Sequence, residues 1–307
     1  MMRLKYFEFS DNDEQKIFNH FHRTTKMVAE DVQTIQEWMK VQPHLPEVLD
    51  TNSIKNFLII SKCSVEIAKQ KIEMRYLMRQ KIPDIFENIN PRLPHMNTIF
   101  DALYWVPLPK LVDGVGRVFI SKVRNPDLCR HMEHHTYNGH HFNFVEIYLK
   151  ESLQLNFSVV FDLSHISNEN FKHFVPSILR KMVMLYHNAY SWSMKGTYFV
   201  NSHPNLQIVL SVLKTLIKPK LMQRIHFCKS ERELVEIFPK EILPVDYGGE
   251  ERSLEELNEM IKEKFLEYQH HFDEIASFVI DEKLVPKKLI NDDFLGFYGN
   301  FKKLEID

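Results

Sequence analysis

The segment NFSVVFDLS, residues 156–164, begins the stretch of chain that decides the fold. Hydrophobic residues occupy both alternating faces of this segment, with Phe157, Val159 and Phe161 on one face and Val160 on the other. Since a parallel strand is covered by helices on both sides, this pattern predicts a buried strand of a parallel sheet. The chain then reads helix, strand and second helix, and closes on ILPVDYGG at residues 242–249.

The first of these helices is predicted in NFKHFVPSILRKMVMLYHNAY, residues 170–190, after a potential N-cap at Asn168. Pro176 should kink or divide it, because proline cannot donate an intrahelical hydrogen bond. GTYFVN, residues 196–201, predicts the next strand, which gives a right-handed crossover unit. The helix has a broad apolar stripe formed by Phe171, Val175, Ile178, Leu179, Met182, Leu185 and Tyr186.

The second helix, NLQIVLSVLKTLIKPK at residues 205–220, is apolar over most of its surface. Ile208 and Val212 occupy the flank that should be polar. Such a helix needs cover on both sides, or it alternates between a protein interior and a membrane. The residue pattern alone leaves open whether the two helices form an ordinary core or line a cavity. The helical spacing is carried by Leu206, Val209, Leu210, Leu213, Leu216 and Ile217.

An ordered set of motifs resembles the CRAL-TRIO (Sec14-like) family of lipid-binding proteins. The set comprises FDLS, PSILRKM, NAYSWSMKG, YFVN, KPKLMQRIHF and ILPVDYGGEE, between residues 161 and 251. Within the family the chain looks most like the α-tocopherol transfer protein and retinaldehyde-binding protein branch, particularly its insect members. LPKLVDGVGRVFISKV, residues 108–123, looks like the first strand pair of the lipid domain, and residues 27–86 look like the helical domain before it.

The resemblance implies an apolar pocket beneath a mobile helix that swings to admit ligand at a membrane. The implied pocket residues are Phe157, Val159, Phe161, Ile178, Met182, Leu185, Tyr186, Trp192, Thr197 and Phe199. The implied gate carries Leu206, Val209, Leu210 and Leu213. For each of these residues, ordinary core packing is the structural alternative.

The resemblance also implies a phosphoinositide or membrane site at Lys195, Lys218, Lys220 and Arg224, beside Lys214. A solvated basic face is the alternative. The sequence departs from the family pattern at two places: Ser193 stands where a basic residue is usual, and NFLIIS, residues 56–61 with Ile59, replaces an arginine-rich run. Near an anionic leaflet each remaining cation contributes about 1 kcal/mol.

The predicted fold class is α/β in three parts. Residues 1–95 form an all-helical domain, residues 96–252 form the CRAL-TRIO βαβ domain with a mainly parallel sheet and helical gate, and residues 253–307 form a helical tail packed on the body. The tail begins with a capping box at Ser253 and Glu256, followed by apolar residues every three or four positions to Val279.

Composition agrees with a cytoplasmic carrier that binds membranes transiently. The net charge of −2 recruits no nucleic acid, and the odd set Cys63, Cys129 and Cys228 fits reduced thiols. The first fifteen residues lack the apolar core of a signal peptide, and no run approaches the ~20 apolar residues of a membrane span. A monomer without a cofactor is expected.

Catalytic and metal motifs are weak. In RHMEHHTYNGHH, residues 130–141, His131 and His135 have the spacing of a helical zinc site, but Asn138 and Gly139 predict a helix break and a solvated surface. GVGRVF at residues 114–119 lacks the third glycine of a nucleotide loop. Asp162, which ends its strand, is predicted to be a capping or turn residue rather than a catalytic group.

The predicted function is therefore a non-catalytic carrier that exchanges a small lipophile with membranes. Tocopherol, retinoid, carotenoid, sterol and phospholipid all remain open as the ligand. The alternative is a lipid-sensing interaction protein that recruits a partner to membranes.

Overall fold

The structure is a computed structural model that describes residues 5–172 and 175–285. Its strands are β1 (Leu103–Pro107), β2 (Gly116–Val123), β3 (Asn156–Asp162), β4 (Ser193–Val200) and β5 (Ile225–Cys228). Helices before β1 are α1 (Asp11–Asn19), α2 (Thr25–Lys40), α3 (Thr51–Ile60), α4 (Val65–Lys81), α5 (Pro83–Phe86), α6 (Pro94–Asn97) and α7 (Ile99–Ala102). Later helices are α8 (Pro126–Arg130), α9 (His134–Glu151), α10 (Asn168–Lys172), α11 (Pro176–Asn188), α12 (Leu206–Leu216), α13 (Pro219–Met222), α14 (Leu234–Ile237), α15 (Leu254–Glu267) and α16 (Gln269–Ala276).

The five strands form one sheet in the order β1-β2-β3-β4-β5, in which only the β1–β2 pair is antiparallel. The predicted α/β class with a mainly parallel sheet is confirmed. The prediction of a strand pair within residues 108–123 is wrong for its first strand, because β1 ends at Pro107 and only β2 lies in that range. A loop with Asp113 and Gly114 at positive φ joins the two strands.

Pro176 divides the helix predicted over residues 170–190. It is the first residue of α11, where its missing N–H costs no intrahelical bond, and α10 ends at Lys172. Residues 173 and 174 of that prediction lie outside the described residues. The division separates a short helix from a cavity-facing one.

The helix break predicted at Asn138 and Gly139 is wrong, because α9 continues through both residues to Glu151. Gly139 is needed there for packing, since an added Cβ would lie 2.3 Å from Ile89 Cγ2. His131 caps the end of α8 and does not share a helix with His135, so the predicted one-helix zinc spacing does not exist. The predicted solvated surface is also wrong for His140, which is buried.

The first helices pack directly against the sheet domain. Asn56 donates hydrogen bonds to the carbonyls of Leu149 and Ser152 at the end of α9, at 3.1 and 2.8 Å. Arg75 of α4 is buried and pairs with Glu146 of α9 at 2.6 Å. One large hydrophobic core therefore joins α2–α4 with α9 and the sheet.

The helical tail is two helices, α15 and α16, broken at Tyr268. Its capping box at Ser253 and Glu256 is present, and Asn258 donates to the Phe100 carbonyl at 3.0 Å. The tail therefore packs on the body as far as it is described. Residues 286–307 of the predicted tail lie outside the described residues.

Candidate ligand-binding cavity

A cavity of about 450 Å³ lies between one face of the sheet and helices α9, α11 and α12. Its floor follows from strand alternation. Phe119, Val159, Thr197 and Ile225 are aligned on neighbouring strands, so their side chains emerge on the same face. Further floor residues are Phe157, Phe161, Met194 and Phe199.

The opposite face of the sheet is closed by packing. Val160 is fully buried there, between its strand partners Ile120 and Tyr198. Asp162 accepts hydrogen bonds from the Ser164 N–H and from Tyr247 Oη, both at 3.0 Å. It is therefore a turn and anchoring residue, as predicted, on the side of the sheet away from the cavity.

Burial would raise the pKa of Asp162. Hydrogen bonds from Asn201 and Ser164 and the ammonium of Lys122, 3.1 Å away, outweigh that effect and hold the pKa below its ordinary value. Asp162 is thus an ionised anchor rather than a proton donor.

Helix α11 forms one wall through the stripe that its sequence predicts. The lining residues on or just before this helix are Val175, Ile178, Leu179, Met182, Val183 and Tyr186. Leu213 of α12, with Ile217 and Leu221 after it, closes the neighbouring side.

Helix α9 forms the wall that the sequence analysis missed. Its lining residues are His134, Tyr137, Asn138, His141, Phe144, Val145 and Tyr148. They recur at intervals of mostly three or four, which is the spacing of one helix face. The histidine-rich composition obscures this signal, because Asn138 and Gly139 predict a helix break and a solvated surface instead. Trp105 of β1 and Gln154, before β3, are further lining residues that the sequence did not predict.

Ten of the fourteen predicted pocket and gate residues lie on the cavity wall: Phe157, Val159, Phe161, Ile178, Met182, Tyr186, Trp192, Thr197, Phe199 and Leu213. The other four lie elsewhere. Leu185 is fully buried in the large core. Leu206, Val209 and Leu210 pack with Leu163 and Phe199 in a smaller cluster beside the cavity.

Few polar groups interrupt the apolar wall. The His141 imidazole Nε2 shares a hydrogen bond with the hydroxyl of Tyr186. Burial lowers the pKa of His141 to about 3 and raises the pKa of Tyr186. Both side chains are therefore uncharged near neutral pH, as an apolar cavity requires.

Several polar atoms of the lining residues are shielded and have no hydrogen-bond partner within the described ranges. They include Trp105 Nε1, His141 Nδ1, Gln154 Oε1 and Trp192 Nε1. An unmatched buried polar group costs about 1–3 kcal/mol. A ligand that supplies partners would recover part of that cost.

The predicted membrane-binding cations lie near α12 and β4 but differ in exposure. Lys195 and Lys220 are exposed, whereas Lys218 and Arg224 are partly buried. Arg224 Nη1 donates to the Met194 carbonyl at 2.5 Å, so this guanidinium serves the fold. Ser193 and Ile59, at the departures from the family pattern, are half-buried and buried, respectively.

Across residues 5–172 and 175–285, no group of three or more His, Cys, Asp or Glu side chains could hold a metal ion. Over the same ranges, no helix combines the length and apolar character needed to cross a membrane.

Comparison with known families places this cavity in a defined domain. Residues 111–249 match the CRAL/TRIO domain model, and residues 24–96 match the model described as Pinta-like, UBA domain. The chain therefore contains a CRAL/TRIO domain, which follows a UBA-like helical region.

Individual relatives are distant. The alpha-tocopherol transfer protein-like proteins of Mus musculus and Homo sapiens are each 21% identical to the chain over 222 residues, which is 71% of this chain and 64% of each relative. The chain thus spans slightly less than two thirds of the length of these relatives. The structure also superposes on a crystal structure of Sfh5 with a TM-score of 0.40 and 11% sequence identity. The superposition covers 85% of this chain and 99% of the Sfh5 chain.

Proposed function

We propose that the protein is a non-catalytic carrier that holds one small lipophile in the cavity and exchanges it with membranes. The observation that carries this proposal is the cavity itself, whose wall is mostly apolar and is formed almost entirely by residues that match the CRAL/TRIO domain model. The name of the distant mammalian relatives, alpha-tocopherol transfer protein-like, is consistent with transfer. Placement in the tocopherol-transfer and retinaldehyde-binding branch is part of the proposal, and insect-type membership stays a prediction.

Cavity size limits the ligand. At close-packed density, 450 Å³ holds on the order of 20 non-hydrogen atoms. A retinoid or a single alkyl chain matches this volume, whereas a two-chain phospholipid would need a larger space than the cavity has in this conformation. Apolar contact contributes about 25 cal/mol per Å², so a ligand that fills the cavity exchanges bilayer contact for protein contact at little net cost.

Helix α12 is the proposed gate. Its apolar residues pack in two small clusters, one containing Leu206 and Leu210 and the other containing Leu216. None of the described α12 residues belongs to the large core. The helix can therefore move without disrupting the packing that holds the domain together.

The outer side of the gate is the proposed membrane contact. Ile208 is 55% exposed on α12, and Phe227 at the edge of the sheet is 51% exposed. Lys195 and Lys220 are exposed nearby in the chain and would attract an anionic leaflet. We further propose that these two lysines, together with Lys218 and Arg224, bind phosphoinositide headgroups.

The remaining assignments are proposals of the same kind. Residues 1–95 would form the helical domain, 96–252 the lipid domain and 253–307 the tail. The protein would act as a monomer in the cytoplasm, with transient peripheral attachment to membranes and no nucleic-acid partner.

A vesicle assay tests the carrier function. Donor vesicles would contain retinol and a non-exchangeable quencher lipid, and the recovery of retinol fluorescence in acceptor vesicles would be followed. The rate should rise in proportion to protein concentration. A rate that equals spontaneous transfer, together with a stable protein partner recruited to the vesicles, would favour the lipid-sensing alternative.

The gate can be tested with a matched pair of truncations. Leu210→Ala removes packing from the small cluster and should accelerate ligand release with little change in melting temperature. Leu185→Ala removes the same atoms from the large core and should destabilise the fold by about 2–5 kcal/mol. Equal destabilisation by both substitutions, without faster release by the first, would refute a separately mobile gate.

A further inference from the structure

We propose that the cavity is built for an elongated lipophile with a hydrogen-bonding group at each end. This inference rests on the proposed carrier function and names the ligand class more closely. It follows from the polar atoms of the lining residues that have no partner among the described residues. They fall into two groups separated by apolar wall, and the Tyr148 hydroxyl belongs to a ring beside the first group.

The first group, the strand-end group, consists of Gln154 and Trp192. Both residues line the cavity just before neighbouring parallel strands, whose paired residues Asn156 and Ser193 hold the two chain segments side by side. Gln154 is only 2% exposed, and neither its Oε1 nor Trp192 Nε1 has a partner in the part of the chain that the structure describes. An amide and an indole N–H together can accept from and donate to one ligand oxygen.

The second group, the helix group, consists of His141 and Trp105, and Asn138 also lines the cavity beside His141. Asn138 and His141 lie three residues apart on the cavity face of α9, and the Trp105 ring meets the His141 ring edge-on at 5.1 Å. The Tyr186 hydroxyl is hydrogen-bonded to His141 Nε2. His141 Nδ1 and Trp105 Nε1 have no hydrogen-bond partner among the described residues. This group can also bind one oxygen.

The separation of the two groups follows from α9. Tyr148 lies seven residues after His141 on the same helix, which is about 10.5 Å of helix rise. The Tyr148 ring meets the Trp192 ring at 5.6 Å, so it marks the strand-end group. Measured from Asn138 the rise is about 15 Å. A ligand that hydrogen-bonds to both the strand-end group and the helix group must therefore carry two polar groups roughly 10–15 Å apart.

The wall between the groups is apolar. Phe144 and Val145 of α9 lie opposite the floor residues Phe157 and Val159. A polar centre in the ligand would lose hydration there without gaining a partner. The cavity therefore favours a polar–apolar–polar ligand, such as a terminally hydroxylated chain or polyene, over one with a single headgroup.

The test compares α,ω-decanediol with decanol, which share a chain length and differ by one hydroxyl. Binding to the full chain would be measured by tryptophan fluorescence, because Trp105 and Trp192 both line the cavity. The variants are Gln154→Leu for the strand-end group and Trp105→Phe, which removes the unpartnered indole N–H, for the helix group. If Gln154→Leu fails to fold, Trp192→Phe replaces it, because it removes the indole N–H donor of the same strand-end group.

Each single substitution should weaken diol binding about tenfold, because one hydroxyl is left unmatched. Decanol binding should change by no more than about twofold, because its single hydroxyl can turn to the intact group. Comparing variants with the wild type for each ligand cancels the different solubilities of the two alcohols.

If decanol binds but both ligands respond equally to each substitution, the two-ended ligand is wrong while the carrier function stands. If neither ligand binds the wild-type protein, and retinol does not bind either, both proposals fall. The inference would also be wrong if only one of the two variants lost affinity for the diol, because only one end of the cavity would then bind a hydroxyl.

Discussion

Val159→Phe should fill the cavity from its floor and block ligand binding without destabilising the fold. Val160→Phe, one residue later, should destabilise the fold and leave ligand binding intact. Val159 lies on the cavity face of β3, and Val160 is fully buried on the opposite face. Val→Phe adds four carbon atoms, which is about a fifth of the ~20 non-hydrogen atoms that the cavity can hold.

In Val159→Phe the new ring enters open space. Cavity filling commonly stabilises a protein by about 0.5–2 kcal/mol, so we expect an unchanged or higher melting temperature. A ligand that fills the wild-type cavity would then clash with the ring. The clash should weaken the free energy of binding by about 1–3 kcal/mol, which is a loss of roughly 5- to 150-fold in affinity.

In Val160→Phe the ring has no space between Ile120 and Tyr198. Overpacking should cost about 1–3 kcal/mol and lower the melting temperature by several degrees, with ligand affinity retained. Thermal unfolding gives the first quantity, and energy transfer from tryptophan to bound retinol gives the second. Equal destabilisation by the two substitutions would mean that Val159 faces packed core and would refute the cavity.

Three further perturbations probe the fold and the membrane contact. Glu146→Gln should destabilise the protein by about 3–5 kcal/mol in chemical denaturation, because it removes the nearer of the two carboxylates that pair with buried Arg75 and leaves only Glu47, at 3.5 Å; an effect below about 1 kcal/mol would contradict the pairing. Burial and the adjacent histidine lower the pKa of His140 to about 3. As the pH falls below about 6.5, this histidine therefore binds a proton in the unfolded chain but not in the folded protein. The free energy of unfolding should then fall by on the order of 1.4 kcal/mol per pH unit for each such histidine. His140→Phe should reduce that slope, and an unchanged slope between pH 6.5 and 5 would show that His140 is not buried neutral. Ile208→Asp should slow vesicle transfer at least fivefold, since it places a charge on the proposed contact surface, while Gln207→Asp on the same helix serves as the control; equal slowing by both would remove Ile208 from the contact.

Periodicity predicted the elements whose environment is uniform. The alternation in β3 and the stripe of α11 were sufficient because each residue there faces either the sheet core or the cavity, and both are apolar. Pro176 marked the division of the helix because proline acts locally, through its missing N–H. Such signals do not depend on distant parts of the chain.

The missed wall depended on distant parts. Gly139 favoured a helix break by its intrinsic propensity, but Ile89 packs against it and only glycine fits. His140 is enclosed by the rings of Phe100 and Phe265, the latter more than a hundred residues later in the chain. No local rule could show that this histidine-rich segment is buried.

The same limit applies to the predicted gate. Leu206 and Leu210 have the spacing of a helix face, and that spacing is identical for a residue that lines a cavity and one that packs beside it. Only the position of Leu163 and Phe199 decides between the two. Sequence therefore identified the helix and left the lining residues on it undetermined.

Native mass spectrometry of the protein after incubation with a cellular lipid extract tests the central claim most directly. We expect one bound lipophile per chain, with a mass on the order of 300 Da set by the cavity volume, and no bound species in Val159→Phe. A wild-type protein that emerges free of ligand, or an adduct retained equally by Val159→Phe, would contradict a carrier that holds its ligand in this cavity.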